Sequence, residues 1–325
     1  PLNPAAPDRC PGGSGSGSAA AVAAGFVRMA VGTDTGGSVR VPAAMTGVMG
    51  LKVTHGRIPL TGVVPLAASL DTVGPIATTV QDLDLAYRAM RGPDPADPWS
   101  VHAAPMPRAA HVPLRIGVPR PWVGSGPVDR WVLAEFAAFT DELGHHRFDV
   151  VDVDLPNLVP WGRIAELSGA QAARVHREWM SKGKPYGDEV AARLRTALEV
   201  SVDDLVDALA WQAGMQDLAR QAFAEVDLLA TPTVGVLRKD IGVDEVATQE
   251  GPANYRHALS WFTALVNSLG VPALSVPLAT KGDPPPSVQL IAPWWAEETL
   301  VAVGRRLERE GLVHDRLPTD PWWWT

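Results

Sequence analysis

The sequence predicts an α/β fold in which a mixed, twisted central sheet carries helices on both faces. Short runs rich in β-branched and apolar residues, such as 114–118 and 226–233, alternate with longer stretches whose apolar residues recur at helical spacing, such as 128–143. A strand, a helix and a second strand in this order normally form a right-handed parallel crossover. With 325 residues, of which 46% are hydrophobic, the chain is long enough to bury such a sheet, and we interpret residues 1–325 as one domain.

The first half of the chain contains both kinds of element. Residues 47–52 predict a short buried strand, and small residues over 19–25 predict a helix. Thr79 is suited to cap a helix that begins at Val80, because its hydroxyl can accept a hydrogen bond from an N–H group three residues later. The remaining elements follow from the same criteria: a strand over 114–118, a helix over 128–143 that Gly144 ends, and a strand over 148–153.

The second half is predicted to be helical first and strand-rich afterwards. Residues 164–226 are helical in pattern with an interruption at 182–185, and residues 237–254 have no strong period, which predicts a loop or a lid. Residues 258–269 predict one amphipathic helix. The other predicted elements are strands over 226–233, 272–277 and 287–291, a helix over 297–310, and a tryptophan-rich tail over 321–325 that docks on the body or on a partner.

The stretch 11–42 contains two glycine- and serine-rich turns, each with one serine of chemical interest. In the first, Ser14 precedes small residues suited to a helix, so it lies near the free N–H groups of a helix N-terminus. In the second, Gly36 and Gly37 precede Ser38 and let several N–H groups point to one spot beside its hydroxyl, as an oxyanion hole requires. A phosphate-binding loop is disfavoured, because it would need Gly-Lys-Ser/Thr and no lysine occurs before Lys52.

Residues 12–43 resemble the signature of the amidase signature hydrolases. The shared pattern runs from Gly-Gly-Ser, through small helix-forming residues, to Gly-Thr-Asp-Thr-Gly-Gly-Ser-Val-Arg-Val-Pro, with the same interval between the two serines. Similar segments follow along the chain: Leu-Ala-Ala-Ser-Leu-Asp-Thr-Val-Gly-Pro-Ile-Ala at 66–77, Asp-Leu-Leu-Ala-Thr-Pro-Thr at 227–233 and Gly-Val-Pro-Ala-Leu-Ser-Val-Pro at 270–277. The resemblance implies the amidase signature fold, with a signature core over 11–77 and a helical, substrate-side insertion over about 157–226.

The resemblance also implies a Ser-Ser-Lys triad. Ser38 would be the nucleophile, and Ser14, which would follow a cis peptide bond from Gly13, would relay the proton between Ser38 and a neutral lysine. A serine hydroxyl is a poor nucleophile until a base takes its proton, and a lysine can act as that base only if burial or nearby positive charge lowers its pKa.

The same resemblance assigns supporting residues around the two serines. The oxyanion hole would consist of the N–H groups of four consecutive residues, Thr35, Gly36, Gly37 and Ser38. The residues Gly13, Thr33 and Asp34 would support the site, and Arg40 would form a structural ion pair.

The base of this triad is not found in the sequence. In the resembled family a segment preceding the signature supplies the lysine, whereas here the chain begins with Pro1 and runs directly into the first turn. We therefore expect a chain that lacks the N-terminal part of the fold. A second departure is Gly15, where many members carry a serine. None of the lysines present lies where the family's catalytic lysine would be: Lys52, Lys182, Lys184, Lys239 and Lys281.

Composition narrows the classes of function. The formal net charge of -8 argues against a nucleic-acid or anionic-membrane partner, and the apolar runs are too short to span a bilayer. The single cysteine, Cys10, excludes an internal disulfide framework and fits a reducing compartment, so we expect a cytoplasmic protein. The resemblance implies neither a metal nor an organic cofactor. The expected partner is a small-molecule amide, and a homodimer is compatible with the sequence.

The resemblance implies an amidohydrolase that cleaves the C–N bond of a carboxylic amide through a serine acyl-enzyme. Two alternatives stay open at the level of the sequence. One is an amidotransferase subunit of the glutamyl-tRNA type, which delivers ammonia to a partner. The other is a catalytically inactive remnant that acts as a binding protein.

Overall fold

The computed structural model describes residues 1–104, 113–155, 161–280, 282 and 284–314. The tryptophan-rich tail, residues 157–160 of the predicted insertion, and Lys281 lie outside this part of the chain. The strands within it are β1 (Met29–Asp34), β2 (Met49–Lys52), β3 (Thr72–Ala77), β4 (Arg115–Val118), β5 (Asp149–Asp152), β6 (Leu228–Pro232), β7 (Glu245–Thr248), β8 (Gly251–Asn254), β9 (Ala273–Pro277) and β10 (Ser287–Ile291).

Eight of these strands form one mixed sheet in the order β1-β3-β2-β9-β10-β6-β4-β5. The pairs β4–β5 and β4–β6 are parallel, and the other neighbours are antiparallel. Because β2 lies beside β9, the sheet joins the signature region to the last third of the chain. Five strands are buried along their whole length, as is typical of strands covered on both faces: β2, β3, β6, β9 and β10. The predicted α/β fold with a mixed sheet is confirmed.

The helices that pack on and beside this sheet include most of the predicted ones and two short ones, over 40–46 and 120–123, that were not predicted. They are α1 (Ser16–Ala23), α2 (Arg40–Thr46), α3 (Val80–Met90), α4 (Arg120–Val123), α5 (Arg130–His145), α6 (Trp161–Ser181), α7 (Asp188–Ala197), α8 (Val202–Glu225), α9 (Tyr255–Ser260), α10 (Ala264–Leu269) and α11 (Glu297–Arg309). Thr79 caps α3 as predicted, since its hydroxyl accepts a hydrogen bond from the N–H of Asp82 at 3.1 Å. Within the described residues, no helix is long and apolar enough to cross a membrane.

Several predicted helix boundaries differ from the structure by a few residues, as α1 and α5 show. The helix α1 begins at Ser16 rather than Ala19. The helix α5 continues past Gly144 to His145, and the chain reverses at Arg147, whose φ of 59° places it in the left-handed region. The N–H of Phe148 then returns to the carbonyl of Leu143 at 3.2 Å, which closes the helix end.

Two segments of the second half of the chain differ more strongly from the elements predicted for them. The stretch predicted as a loop or lid contains the β7–β8 hairpin, whose turn is closed by a hydrogen bond from the Thr248 hydroxyl to the Gly251 carbonyl at 2.6 Å. The single helix predicted over 258–269 is two short helices, α9 and α10, separated by residues 261–263. This break brings Thr263 against the signature turn.

Candidate active site

The two serine-bearing turns of the signature lie against each other. The N–H of Gly15 donates a hydrogen bond to the carbonyl of Ser38, with 3.1 Å between nitrogen and oxygen. A Cβ on Gly15 would lie 2.6 Å from the same carbonyl oxygen, closer than real Cβ contacts come. At this separation of the Ser14 and Ser38 segments, a side chain at position 15 would force the Ser38 carbonyl to shift.

The first turn has the backbone form that the resemblance implies. The peptide bond between Gly13 and Ser14 is cis. Ser14 is exposed, whereas Ser38 is half-buried and lies just before α2. The structure thus brings these three residues together, and their chemical roles remain predictions.

The second turn is organised by the carboxylate of Asp34, the last residue of β1. Its Oδ1 accepts a hydrogen bond from the N–H of Gly37 at 2.7 Å, and its Oδ2 accepts one from the N–H of Val39 at 3.2 Å. The resemblance assigned Gly37 to the oxyanion donors, and here the structure differs, because the Gly37 N–H is directed at Asp34. Asp34 holds the turn in this structure, as a support residue would.

Three N–H groups of the turn remain available. None of the described residues accepts a hydrogen bond from the main-chain N–H of Thr35, Gly36 or Ser38. All three residues are half-buried. Several N–H groups beside a serine, each without a protein acceptor among the described residues, are suited to bind an anionic oxygen.

Asp34 and Arg40 form an ion pair beneath the turn, and both side chains are fully buried. Arg40 Nε lies 3.0 Å from Asp34 Oδ2, and Arg40 Nη2 lies 2.9 Å from Asp34 Oδ1. Burial by itself raises the pKa of Asp34, but the Arg40 guanidinium outweighs it and holds the pKa well below its usual range. The structural ion pair predicted for Arg40 is therefore present.

Two residues from the last third of the chain complete this network, and the sequence argument missed both. The side-chain amide of Asn267 donates to Asp34 Oδ1 at 2.9 Å, while its Oδ1 accepts from Arg40 Nη2 at 2.6 Å. The side-chain oxygen of Gln289 accepts from Arg40 Nη1 at 2.5 Å. Both residues are buried polar groups in otherwise apolar segments, and this pattern is the sequence signal that would have found them.

The remaining predicted support residue, Thr33, is exposed and pairs with Val73 across β1 and β3. No side-chain hydrogen bond of Thr33 occurs among the described residues, so its supporting role stays a prediction. The side chain of the nearby Thr35 does form a hydrogen bond, because its hydroxyl donates to Asp71 Oδ1 at 2.5 Å.

Asp71 also lines a cavity of about 350 Å³. Its Oδ2 accepts hydrogen bonds from the main-chain N–H groups of Leu66 and Ala67, at 2.9 and 3.0 Å. One wall residue of the cavity is therefore hydrogen-bonded to Thr35 of the oxyanion turn. Its other walls include Leu60, Val63, Pro65, Asp97 and Trp99.

Lys52 is a buried lysine in β2, and its Nζ donates to the carbonyls of Val53 and Val271, at 3.1 and 2.8 Å. Burial, together with the positive charge of Arg40, lowers the pKa of Lys52 to about 7. Neither Ser14 nor Ser38 is among its described hydrogen-bond partners, in keeping with the prediction that Lys52 is not the triad base. In the described part of the chain, no group of three or more His, Cys, Asp or Glu side chains could hold a metal ion.

Comparison with known proteins shows what this arrangement is similar to. The family model for Amidase matches residues 1–301. The A subunit of the glutamyl-tRNA(Gln) amidotransferase of Thermus thermophilus is 36% identical over a gapped alignment of 332 positions, which covers 94% of this chain and 69% of that protein.

Solved structures agree with the sequence comparison. The crystal structure of an amidase matches with a TM-score of 0.85 and 29% identity, covering 95% of this chain and 69% of that one. The A subunit of the glutamyl-tRNA(Gln) amidotransferase of Thermotoga maritima matches with a TM-score of 0.75 and 28% identity, covering 96% and 70%. This chain therefore belongs to the Amidase family, the amidase signature enzymes.

Proposed function

We propose that the protein is an amidohydrolase that transfers the acyl group of a small carboxylic amide to Ser38 and then to water. The observation that carries the proposal is the turn itself. Ser38 follows a glycine pair whose backbone is held above a buried ion pair, and the segment holding Ser14 lies one hydrogen bond away.

In the proposed first step, Ser38 Oγ attacks the amide carbonyl carbon, and a C–O bond forms. The carbonyl oxygen becomes an oxyanion that accepts hydrogen bonds from the N–H groups of Thr35, Gly36 and Ser38. Removing one such donor from a serine hydrolase lowers the rate about 10²–10³-fold, so we expect each of these N–H groups to contribute substantially to the rate.

The proton of Ser38 passes to Ser14 and on to the base, and it returns by the same route to the leaving nitrogen as the C–N bond breaks. Water then attacks the acyl-enzyme, which releases the carboxylic acid and restores Ser38. A serine hydroxyl needs such a base to become a nucleophile, and the resemblance assigns that role to a lysine.

We place the substrate group next to the scissile amide in the cavity that Asp71 lines. This cavity is mostly apolar at Leu60, Val63 and Trp99, which favours an aliphatic or aryl group over a charged one. Its polar walls, Asp71 and Asp97, already accept main-chain hydrogen bonds. The predicted substrate-side role of the helical insertion over about 157–226 and a cytoplasmic location also remain proposals.

The second candidate is the glutamine-dependent release of ammonia for a partner enzyme. It is favoured by the 36% identity to the A subunit of a glutamyl-tRNA(Gln) amidotransferase. Both candidates use the same serine and the same turn, and they differ in the acceptor and in the need for a partner.

The test is amine release from a panel of simple aryl and alkyl amides by the isolated protein, with Ser38→Ala as the control. Hydrolysis that is lost in Ser38→Ala supports the hydrolase. If glutamine is the only amide that is hydrolysed, and if this hydrolysis requires a tRNA amidotransferase partner, the second candidate is supported. If the folded protein hydrolyses no amide, with or without that partner, the result contradicts both candidates. The alternative that then stays open is a catalytically inactive binding protein.

A further inference from the structure

We propose that Thr263 is a positioning residue for the oxyanion turn. Its hydroxyl and the carboxylate of Asp34 clamp the Gly36–Gly37 peptide from opposite sides, so that the flanking N–H groups face the substrate. The inference rests on the proposed role of Ser38 as nucleophile. It gives a residue from the last third of the chain a part in the chemistry of the N-terminal signature turn.

One side of the clamp is the Thr263 hydroxyl. Thr263 is fully buried, and its Oγ1 donates a hydrogen bond to the carbonyl of Gly36 at 2.8 Å. The fit is tight, because a Cβ on Gly37 would overlap that Oγ1 at a separation of only 2.3 Å. Gly37 also has a φ of +126°, which residues with a side chain rarely adopt. Both the overlap with Thr263 and this backbone conformation therefore favour glycine at position 37.

The other side of the clamp is Asp34. The N–H of Gly37, which belongs to the same peptide as the Gly36 carbonyl, donates to Asp34 Oδ1 at 2.7 Å. The C=O and N–H of a planar trans peptide point in opposite directions. Rotation of this peptide therefore breaks both hydrogen bonds at once.

The two sides of the clamp are joined through Arg40. Its Nη2 donates to the main-chain carbonyl of Thr263 at 3.1 Å and to Asp34 Oδ1 at 2.9 Å. Thr263, Arg40 and Asp34 thus form a closed ring of hydrogen bonds around one peptide. A closed, fully satisfied network in a buried setting holds its members more rigidly than separate pairs would.

The break between α9 and α10 is what places Thr263 in this ring. Thr263 precedes the first residue of α10, and its N–H donates to the carbonyl of Ser260 at 3.1 Å. A continuous helix over 255–269 would instead direct the Thr263 carbonyl to the N–H of Asn267 along the helix axis. In the structure that hydrogen bond is long, at 3.4 Å, and Arg40 shares the same carbonyl.

The functional consequence concerns the two peptides that flank the Gly36–Gly37 peptide. The N–H of Gly36 and the N–H of Ser38 have no acceptor among the described residues, and their directions depend on the plane of the peptide between them. If the Gly36 carbonyl loses its partner, that plane is freed and both donors are misdirected. We therefore expect the loss of the Thr263 hydroxyl to slow attack by Ser38 without weakening substrate binding.

The experiment compares Thr263→Val, which removes only the hydroxyl, with Thr263→Ser, which keeps it. The matched control is Thr233→Val, because Thr233 is also fully buried and its hydroxyl contacts only Ser275 and Ser287 among the described side chains. The readouts are the rate at which a fluorophosphonate labels the protein, kcat and KM on any amide that it turns over, and amide hydrogen exchange over residues 35–39.

The proposal predicts labelling about 10- to 100-fold slower in Thr263→Val, with a lower kcat and an unchanged KM. Thr263→Ser is expected to stay within about threefold of the parent, and Thr233→Val to lose stability but not labelling rate. Exchange over residues 35–39 is expected to speed up in Thr263→Val alone. Equal rates for parent and Thr263→Val, or equal slowing by Thr233→Val, would overturn the proposal.

Ser38→Ala separates this proposal from the proposed function. If Ser38→Ala is labelled like the parent, the nucleophile assignment fails. If the parent takes no label at all, hydrogen exchange decides the clamp by itself: faster exchange over residues 35–39 in Thr263→Val supports it, and unchanged exchange contradicts it.

Discussion

The main-chain N–H of Gly15 donates to the carbonyl of Ser38, and a Cβ at position 15 would lie 2.6 Å from that carbonyl oxygen. This contact sets how closely the two serine turns approach each other. In this structure a side chain at position 15 would push the two turns apart. The contact is a property of the backbone, so it can be tested by adding a single methyl group.

We predict that Gly15→Ala slows labelling of Ser38 by at least about tenfold, because the methyl group displaces the Ser14 segment from Ser38. The matched control is Gly17→Ala, since a Cβ there meets nothing within 4 Å. Gly17 lies within α1, so its replacement by alanine is expected to stabilise the protein by about 0.5–1 kcal/mol. Labelling kinetics and urea unfolding of both variants make the comparison, and equal labelling rates would refute the steric account.

The buried ion pair is predicted to dominate the stability of the signature turn. Arg40→Met leaves the Asp34 carboxylate buried without its partner, which typically costs about 3–5 kcal/mol. The control is Arg120→Met, because the pair between Arg120 and Asp152 is largely exposed and such pairs contribute about 0–1 kcal/mol. Urea denaturation measures both, and a loss below about 1 kcal/mol for Arg40→Met would contradict the role of the pair.

Lys52 is predicted to make stability depend on pH. Its pKa is about 7 in the folded protein and 10.5 as an unperturbed group, so between these values the unfolded chain binds more protons. The free energy of unfolding should therefore rise with pH above 7, by up to about 1.4 kcal/mol per pH unit.

The measurement is urea unfolding of the parent and of Lys52→Met at about pH 7, 8 and 9, which lie within the window where the Lys52 pKa differs between the two states. Lys52→Met removes the titrating group, so the parent is expected to gain stability relative to it as pH rises. Lys182→Met serves as the control, because Lys182 is largely exposed and pairs with Glu178. Parallel pH profiles for the parent and Lys52→Met would show that Lys52 does not titrate in this range.

The cavity beside the oxyanion turn is predicted to hold part of the substrate. Val63→Trp fills it and is expected to raise KM for a turned-over amide about tenfold with little change in stability. Val64→Trp is the matched control, because Val64 is adjacent in sequence, 68% exposed and not part of the cavity wall. If both variants keep the parent KM, the substrate lies elsewhere.

Most strands and helices could be predicted from the sequence because their patterns are local. The strands around Ile116 and Leu229 are short apolar runs, and the helix after Thr79 has a capping residue in the right place. The signature turn could be predicted because glycines before a serine widen the range of conformations that the backbone can adopt. The cis bond before Ser14 followed from resemblance alone.

What the sequence could not provide depends on contacts between distant segments. Apolar spacing continues through Trp261 and Phe262, so periodicity alone predicts one helix. In the structure, Thr263 is hydrogen-bonded to Arg40 and Gly36 at the point where the helix is interrupted. The same applies to Gly37, whose N–H is directed at Asp34 because of the turn's conformation rather than its composition. The β7–β8 hairpin was missed because its short strands include Pro252 and carry no regular alternation.

The central claim is that Ser38 is an activated nucleophile. The most direct measurement is the intact mass of the parent and of Ser38→Ala after exposure to a fluorophosphonate, with Ser16→Ala, at the first residue of α1, as a control. We expect one adduct on the parent and on Ser16→Ala, and none on Ser38→Ala. An adduct of equal yield on Ser38→Ala, or none on a well-folded parent, would contradict it.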